Sequence, residues 1–133
     1  MHRYQILIEY VGTHYVGWQI QKKGNSIQKT IQLVLSKLLG KKIVLYGSGR
    51  TDAGVHALEQ SAHFDVKNKL QNIDRIVKSL NFFLNNKMIS IINIKKKNIN
   101  FHARHSAKKR IYLYVILNRL SLSTINKDRE WYI

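Results

Sequence analysis

Apolar residues in this chain change their spacing in a fixed order, and that order most constrains the fold. In "RYQILIEY", Tyr4, Ile6, Ile8 and Tyr10 alternate with other residues, the period of a strand with one buried face. From Ser26 the spacing lengthens. Ile27, Ile31, Val34, Leu35 and Leu38 fall on a helical stripe, with Ser26 as N-cap and Gly40 as the C-terminal stop. "KIVLY" predicts a short buried strand. "LEQSAHFDV" alternates again, with Ala62, Phe64 and Val66 on one face and Ser61, His63 and Asp65 on the other. A second helix starts near Asn72, with Ile73, Ile76, Val77, Leu80, Phe83 and Leu84 on its buried stripe. "MISIINI" is the next strand. The basic connection "KKKNINFHARHSAKK" follows, and "RIYLYVIL" is a last strand. Strand, helix, strand, strand, helix, strand is the split βαβ, ferredoxin-like α+β layout, here with one additional strand. It places two helices on one face of an antiparallel sheet.

Composition narrows the classes of function. At 133 residues and 44% hydrophobic, the chain has room for one core and is not disordered. It has no cysteine, which excludes a disulfide scaffold and a cysteine zinc site. The amino terminus "MHRYQILIEY" reads as a strand rather than a leader, and no apolar run is long enough for a bilayer. The expected compartment is therefore the cytoplasm, with no membrane partner. A formal net charge of +16 points to a polyanion, most often nucleic acid. The same chain is crowded with Lys, Ile and Asn and has no proline, a bias that raises lysine whatever the function. A generally solvated basic surface therefore stands beside nucleic-acid binding. The aromatic signature with which an RRM sheet stacks bases is absent, so any RNA is held another way.

The densest chemistry lies in "YGSGRTDAGVHA", residues 46–57, between the second and third strands. Asp52 is one of only seven acidic residues. Asp and Gly are ordinary turn residues. Here, however, Arg50 supplies a cation two residues earlier, which favours an ionised carboxylate. Gly47, Gly49 and Gly54 let the backbone bend sharply and let a ligand approach. The loop is also longer than a hairpin requires. Other candidates are weaker. "HARH" sets His102 and His105 three apart in a loop with no carboxylate close by, so no metal site is expected there, nor with His56 or His63. Lys95, Lys96 and Lys97 read as a solvated stretch or a phosphate contact. Trp18 reads as a cleft wall or as core. Tyr112 by its own spacing is a strand residue.

"GRTDAGVHA" resembles the active-site signature of the tRNA pseudouridine synthase A family. "EYVGTHYVGWQIQ" (residues 9–21), "LNFFL" (80–84) and "FHARHSAKKRIYLY" (101–114) resemble three further blocks of that family, in the right order. The resemblance implies a homodimeric isomerase that needs neither metal nor organic cofactor. It would turn uridine into pseudouridine at positions 38, 39 and 40 of the tRNA anticodon stem-loop. Asp52 falls on the catalytic aspartate and Tyr112 on the tyrosine that packs against the target base. Arg50 falls on the arginine that helps open the helix and fix the aspartate. The residue chemistry agrees. A glycosidic rearrangement needs an ionised carboxylate near C1′ or C6. A base that leaves its stack loses a few kcal/mol, which an aromatic ring and a cation can return. Lysines and arginines would grip phosphates and position the arm.

The chain departs from the family pattern at Val11, where aspartate is usual. It departs again after "LNFFL", where an "LP.D" motif becomes "LNNK", with Asn85 in place of proline and Lys87 in place of aspartate. Family members also carry a second, similarly folded half. The expected organisation is an N-terminal catalytic subdomain over residues 1–117 and the start of a connection to a C-terminal half over 118–133. Two functions follow: a tRNA isomerase with Asp52 as catalyst, or a truncated, catalytically weak RNA-binding module.

Overall fold

The computed structural model describes residues 1–133. Strand β1 (His2–Tyr10) leads to helix α1 (Ile27–Leu39), strand β2 (Tyr46–Gly47) and strand β3 (Ala57–Val66). Helix α2 (Ile73–Leu84) continues into a single 3-10 turn (Asn85–Lys87) and strand β4 (Ile89–Lys97). Two short strands, β5 (Ile116–Leu117) and β6 (Trp131–Tyr132), close the chain. The main sheet has the order β2-β3-β1-β4, and every neighbouring pair is antiparallel. The first six elements thus form the expected ferredoxin-like core.

Local chemistry sets the helix ends. The Ser26 hydroxyl accepts the Lys29 N–H at 3.1 Å, and Gly40 closes α1 in the left-handed conformation at φ 71°. Asn72 caps α2 by accepting the Arg75 N–H at 3.2 Å. One face of β1 (Tyr4, Ile6, Ile8, Tyr10) and one of β3 (Ala62, Phe64, Val66) are buried against Ile27, Ile31 and Leu35 of α1 and Leu80 and Leu84 of α2. In β4 the pairing jumps from Leu7–Asn93 to Ile8–Ile91, leaving Ile92 bulged. The bulge turns both Ile91 and Ile94 inward and Ile92 outward.

Four expectations are corrected. "KIVLY" does not form a strand before Tyr46. Ile43 and Leu45 are buried, but α1 takes their backbone groups. Ser36 Oγ accepts the Ile43 N–H at 2.8 Å, Gln32 Oε1 accepts the Leu45 N–H at 2.8 Å, and Gln28 Nε2 donates to the Leu45 carbonyl at 2.7 Å. Phe83 leaves the α2 stripe; it is half exposed and lies edge-on to exposed Phe82. Leu38 likewise sits at the exposed margin of α1. Of the strand expected over 110–117, only Ile116–Leu117 forms, paired in parallel with Trp131–Tyr132. Residues 111–114 lie exposed and unpaired, because no neighbouring strand is there to take their backbone groups.

Candidate active site

The glycine loop is held by the loop that precedes α1. Trp18 N–H donates to the Thr51 carbonyl at 3.0 Å, and Gly12 N–H donates to His56 Nδ1 at 2.8 Å. The Tyr10 hydroxyl meets Thr51 Oγ1 at 2.8 Å, and burial raises the pKa of that phenol, so it stays neutral. These contacts need two close backbone approaches. A methyl group added at Gly12 would stand 2.0 Å from the Val55 carbonyl oxygen. One added at Gly17, whose φ is +111°, would stand 2.5 Å from the Thr51 carbonyl oxygen. The opposite end of the loop hangs on β3. Ser48 N–H donates to the Ser61 carbonyl at 2.8 Å, the Ser48 hydroxyl donates to Gln60 Oε1 at 3.0 Å, and Gln60 Nε2 donates to the Gly49 carbonyl.

Within this frame Asp52 is exposed, and its carboxylate has neither a hydrogen bond nor an ion pair. The Asp52 carbonyl accepts the Val55 N–H at 3.1 Å, which closes the tight turn behind it. Arg50 is exposed too and does not pair with Asp52; the only ion pair in the chain joins Arg3 to Asp65. Arg50, Thr51, Asp52 and Ala53 form one wall of an open cavity of about 610 Å³, and Val16, Gln19 and Gln21 form the other. Tyr112 does not line this cavity; it lies exposed on the 111–114 stretch. Trp18 is core rather than wall, fully buried, stacked on Tyr10 and pressed against Gly47.

Two features of the site were not foreseen from the sequence. Arg110 donates from Nη2 to the Ser48 carbonyl at 2.7 Å, and its side chain lies over Gly49, so a second cation touches the loop. His63, on the face of β3 opposite Ala62, Phe64 and Val66, is buried. Its Nδ1 accepts the Ala103 N–H at 3.0 Å, and Tyr46 and His102 pack on its ring. Burial, then the charges of Arg3 and His102, lower its pKa to about 4. The Arg3 guanidinium grips Asp65 through two nitrogens at 2.8 and 2.9 Å and donates to the Ile99 and Phe101 carbonyls. This ties the 99–103 turn across the sheet. No spacing rule marks such contacts, because each joins residues far apart in the chain.

Fold and loop together define a ferredoxin-like α+β unit that displays one unpartnered carboxylate from a braced glycine loop. A family model described as tRNA pseudouridine synthase matches residues 6–106, and the chain belongs to that family. It is 64% identical over 133 residues to the tRNA pseudouridine synthase A of Pelagibacter ubique (strain HTCC1062), covering 100% of this chain and 54% of the relative. It is 44% identical over 133 residues to the enzyme of the same name from Ehrlichia ruminantium (strain Welgevonden), covering 98% of this chain and 53% of the relative. The chain thus spans about half the length of the curated relatives it matches.

Proposed function

We propose that this chain carries the catalytic centre of a tRNA pseudouridine synthase, acting on uridines 38, 39 and 40 of the anticodon stem-loop. The observation that carries the reading is Asp52: a free carboxylate on a loop whose backbone is fixed from both ends, beside a cavity large enough for a flipped nucleoside. Asp52 acts on the sugar or base as nucleophile or base. The C1′–N1 bond breaks, the uracil turns, C1′ joins C5, the C5 proton leaves to solvent, and N1 ends carrying a proton. No metal or organic cofactor enters these steps. Arg50, on the cavity wall, offers a cation to the opened strand. Tyr112 stacks on the target base once the 111–114 stretch closes over the substrate, a contact worth about 1–3 kcal/mol. Residues 1–117 form the catalytic subdomain and 118–133 begin a connection to a C-terminal half. The enzyme works in the cytoplasm as a homodimer, with the exposed apolar stretch at 111–114 available for association. Light scattering at twice the mass of the chain supports the dimer, and a stable monomer contradicts it.

Stem-loops carrying a single uridine at 38, 39 or 40 test the reading, with pseudouridine mapped by carbodiimide adducts. Arg50→Ala and Tyr112→Ala should each slow turnover roughly 10- to 100-fold while affinity for a stem-loop with an unpaired target changes little. Equal loss of binding to every RNA would assign both residues to general affinity. The openness of the cavity and the position of Tyr112 outside it favour a second reading, a catalytically weak RNA-binding module. Tight stem-loop binding without pseudouridine formation would select that one.

A further inference from the structure

The loop that braces Asp52 walls a second cavity, of about 440 Å³, which shares no residue with the first. Val11, Thr13, His14, Tyr15 and Asn25 come from that loop. Asn86, Lys87 and Met88 come from the turn after α2, and 127–129 come from the chain before β6. Two contacts fix its walls. The Tyr15 hydroxyl donates to the Lys87 carbonyl, and His56 bonds the Asp128 carbonyl through Nε2. Since His56 Nδ1 accepts the Gly12 N–H, Nε2 carries the proton and donates. The cavity is therefore joined through His56 to the end of the glycine loop.

Its charge is unbalanced. Lys87, Lys127 and Arg129 converge on it, Asp128 is its one carboxylate, and none of these groups forms an ion pair. The Lys87 and Lys127 ammonium groups make no hydrogen bond within the chain, and Asn25, Asn86 and Thr13 add polar groups around them. Two of the departures from the family pattern meet here. Val11 and Lys87, both at positions where that pattern has aspartate, line the same cavity. Neither position supplies a carboxylate here and Lys87 supplies a cation, so the cavity is basic in this chain.

We propose that this cavity is a phosphate site for the RNA backbone, holding the strand on one flank of the 11–25 loop while Asp52 acts on the other. The proposal rests on the substrate being RNA. Unpaired cations at the edge of a solvated cavity match the spaced charges of a phosphodiester strand, and neutralising them releases counterions and makes binding salt-dependent.

The test is anisotropy titration of a fluorescent anticodon stem-loop against the 133-residue chain over a range of salt, with turnover measured in parallel. Lys87→Gln and Lys127→Gln should each lower the slope of log K against log salt by about 0.7 to 0.9. KM should rise while kcat stays unchanged. Lys87→Asp, which restores the family's residue, should weaken binding further. Lys41→Gln, a cation lining neither cavity, should leave the slope as it is. Groove variants indistinguishable from Lys41→Gln would overturn the phosphate site while leaving the enzyme reading intact. Reduced slopes with no turnover in the parent chain would do the reverse. No RNA binding by the parent chain would overturn both. Lys87→Gln keeps the carbonyl that Tyr15 uses, and a thermal melt matching the parent confirms that the variant folds.

Discussion

Gly17 shows how closely the glycine loop around Asp52 is held. Its φ of +111° is costly for any side chain, and a methyl group there would meet the Thr51 carbonyl oxygen at 2.5 Å. Gly17→Ala should therefore destabilise the chain by about 1–3 kcal/mol, read as a lower melting temperature, and should loosen the turn that presents Asp52. An unchanged melt would show that the loop is not clamped in solution. His63 gives a pH-dependent prediction. Its folded-state pKa, about 4, lies below the usual 6.5, so between these values the unfolded chain binds more protons. Stability should be complete above about pH 6.5 and fall as the pH drops toward 4, as seen in melts across that range. His63→Gln, which keeps an acceptor for the Ala103 N–H, should flatten that dependence. Asp65, held below its usual range by the hydrogen bond from Arg3, adds a separate loss only under more acidic conditions.

Helix α1 holds more than its apolar stripe. Gln28 is buried, accepts the Ile20 N–H at 3.0 Å and donates to the Leu45 carbonyl at 2.7 Å, so it joins the first loop to the approach to β2. Gln28→Ala should cost about 1–3 kcal/mol, because it strands two backbone groups away from water. Urea denaturation should show a lower midpoint with an unchanged slope. A midpoint equal to the parent's would contradict this. The contrast explains what the sequence disclosed about elements. β1, β3 and the two helices were legible because each buries one face, and a buried face leaves a period in the sequence. The 42–45 segment was misread because its apolar residues are buried while its polar backbone is satisfied by Gln28, Gln32 and Ser36, which a periodicity cannot reveal. Residues 110–115 alternate like a strand, but alternation does not supply a pairing partner. The Asp52 loop was legible by its residue types. The bracing by Gly12, Gly17 and Gln60, the Arg110 contact and the burial of His63 depend on contacts across long stretches of chain.

Taken whole, the molecule is a strongly basic half-sandwich: helices cover one face of the sheet, and the other carries Arg3, Gln5, His63 and Asp65 under the 99–105 turn. With a net charge of +16 and a single ion pair, most of its cations are free to meet phosphate. The two cavities flank one loop, so the same 11–25 segment fixes the carboxylate and walls the basic groove. On the proposed reading Asp52 is the group that does the chemistry, while the lysines and arginines hold the RNA. The most direct measurement is tritium release from a stem-loop labelled at C5 of its uridines, comparing the parent chain with Asp52→Asn. The expected result is release by the parent and a loss on the order of 10³-fold or more in the variant, with stem-loop affinity within a few-fold. Release by Asp52→Asn at the parent's rate would contradict the assignment of the site.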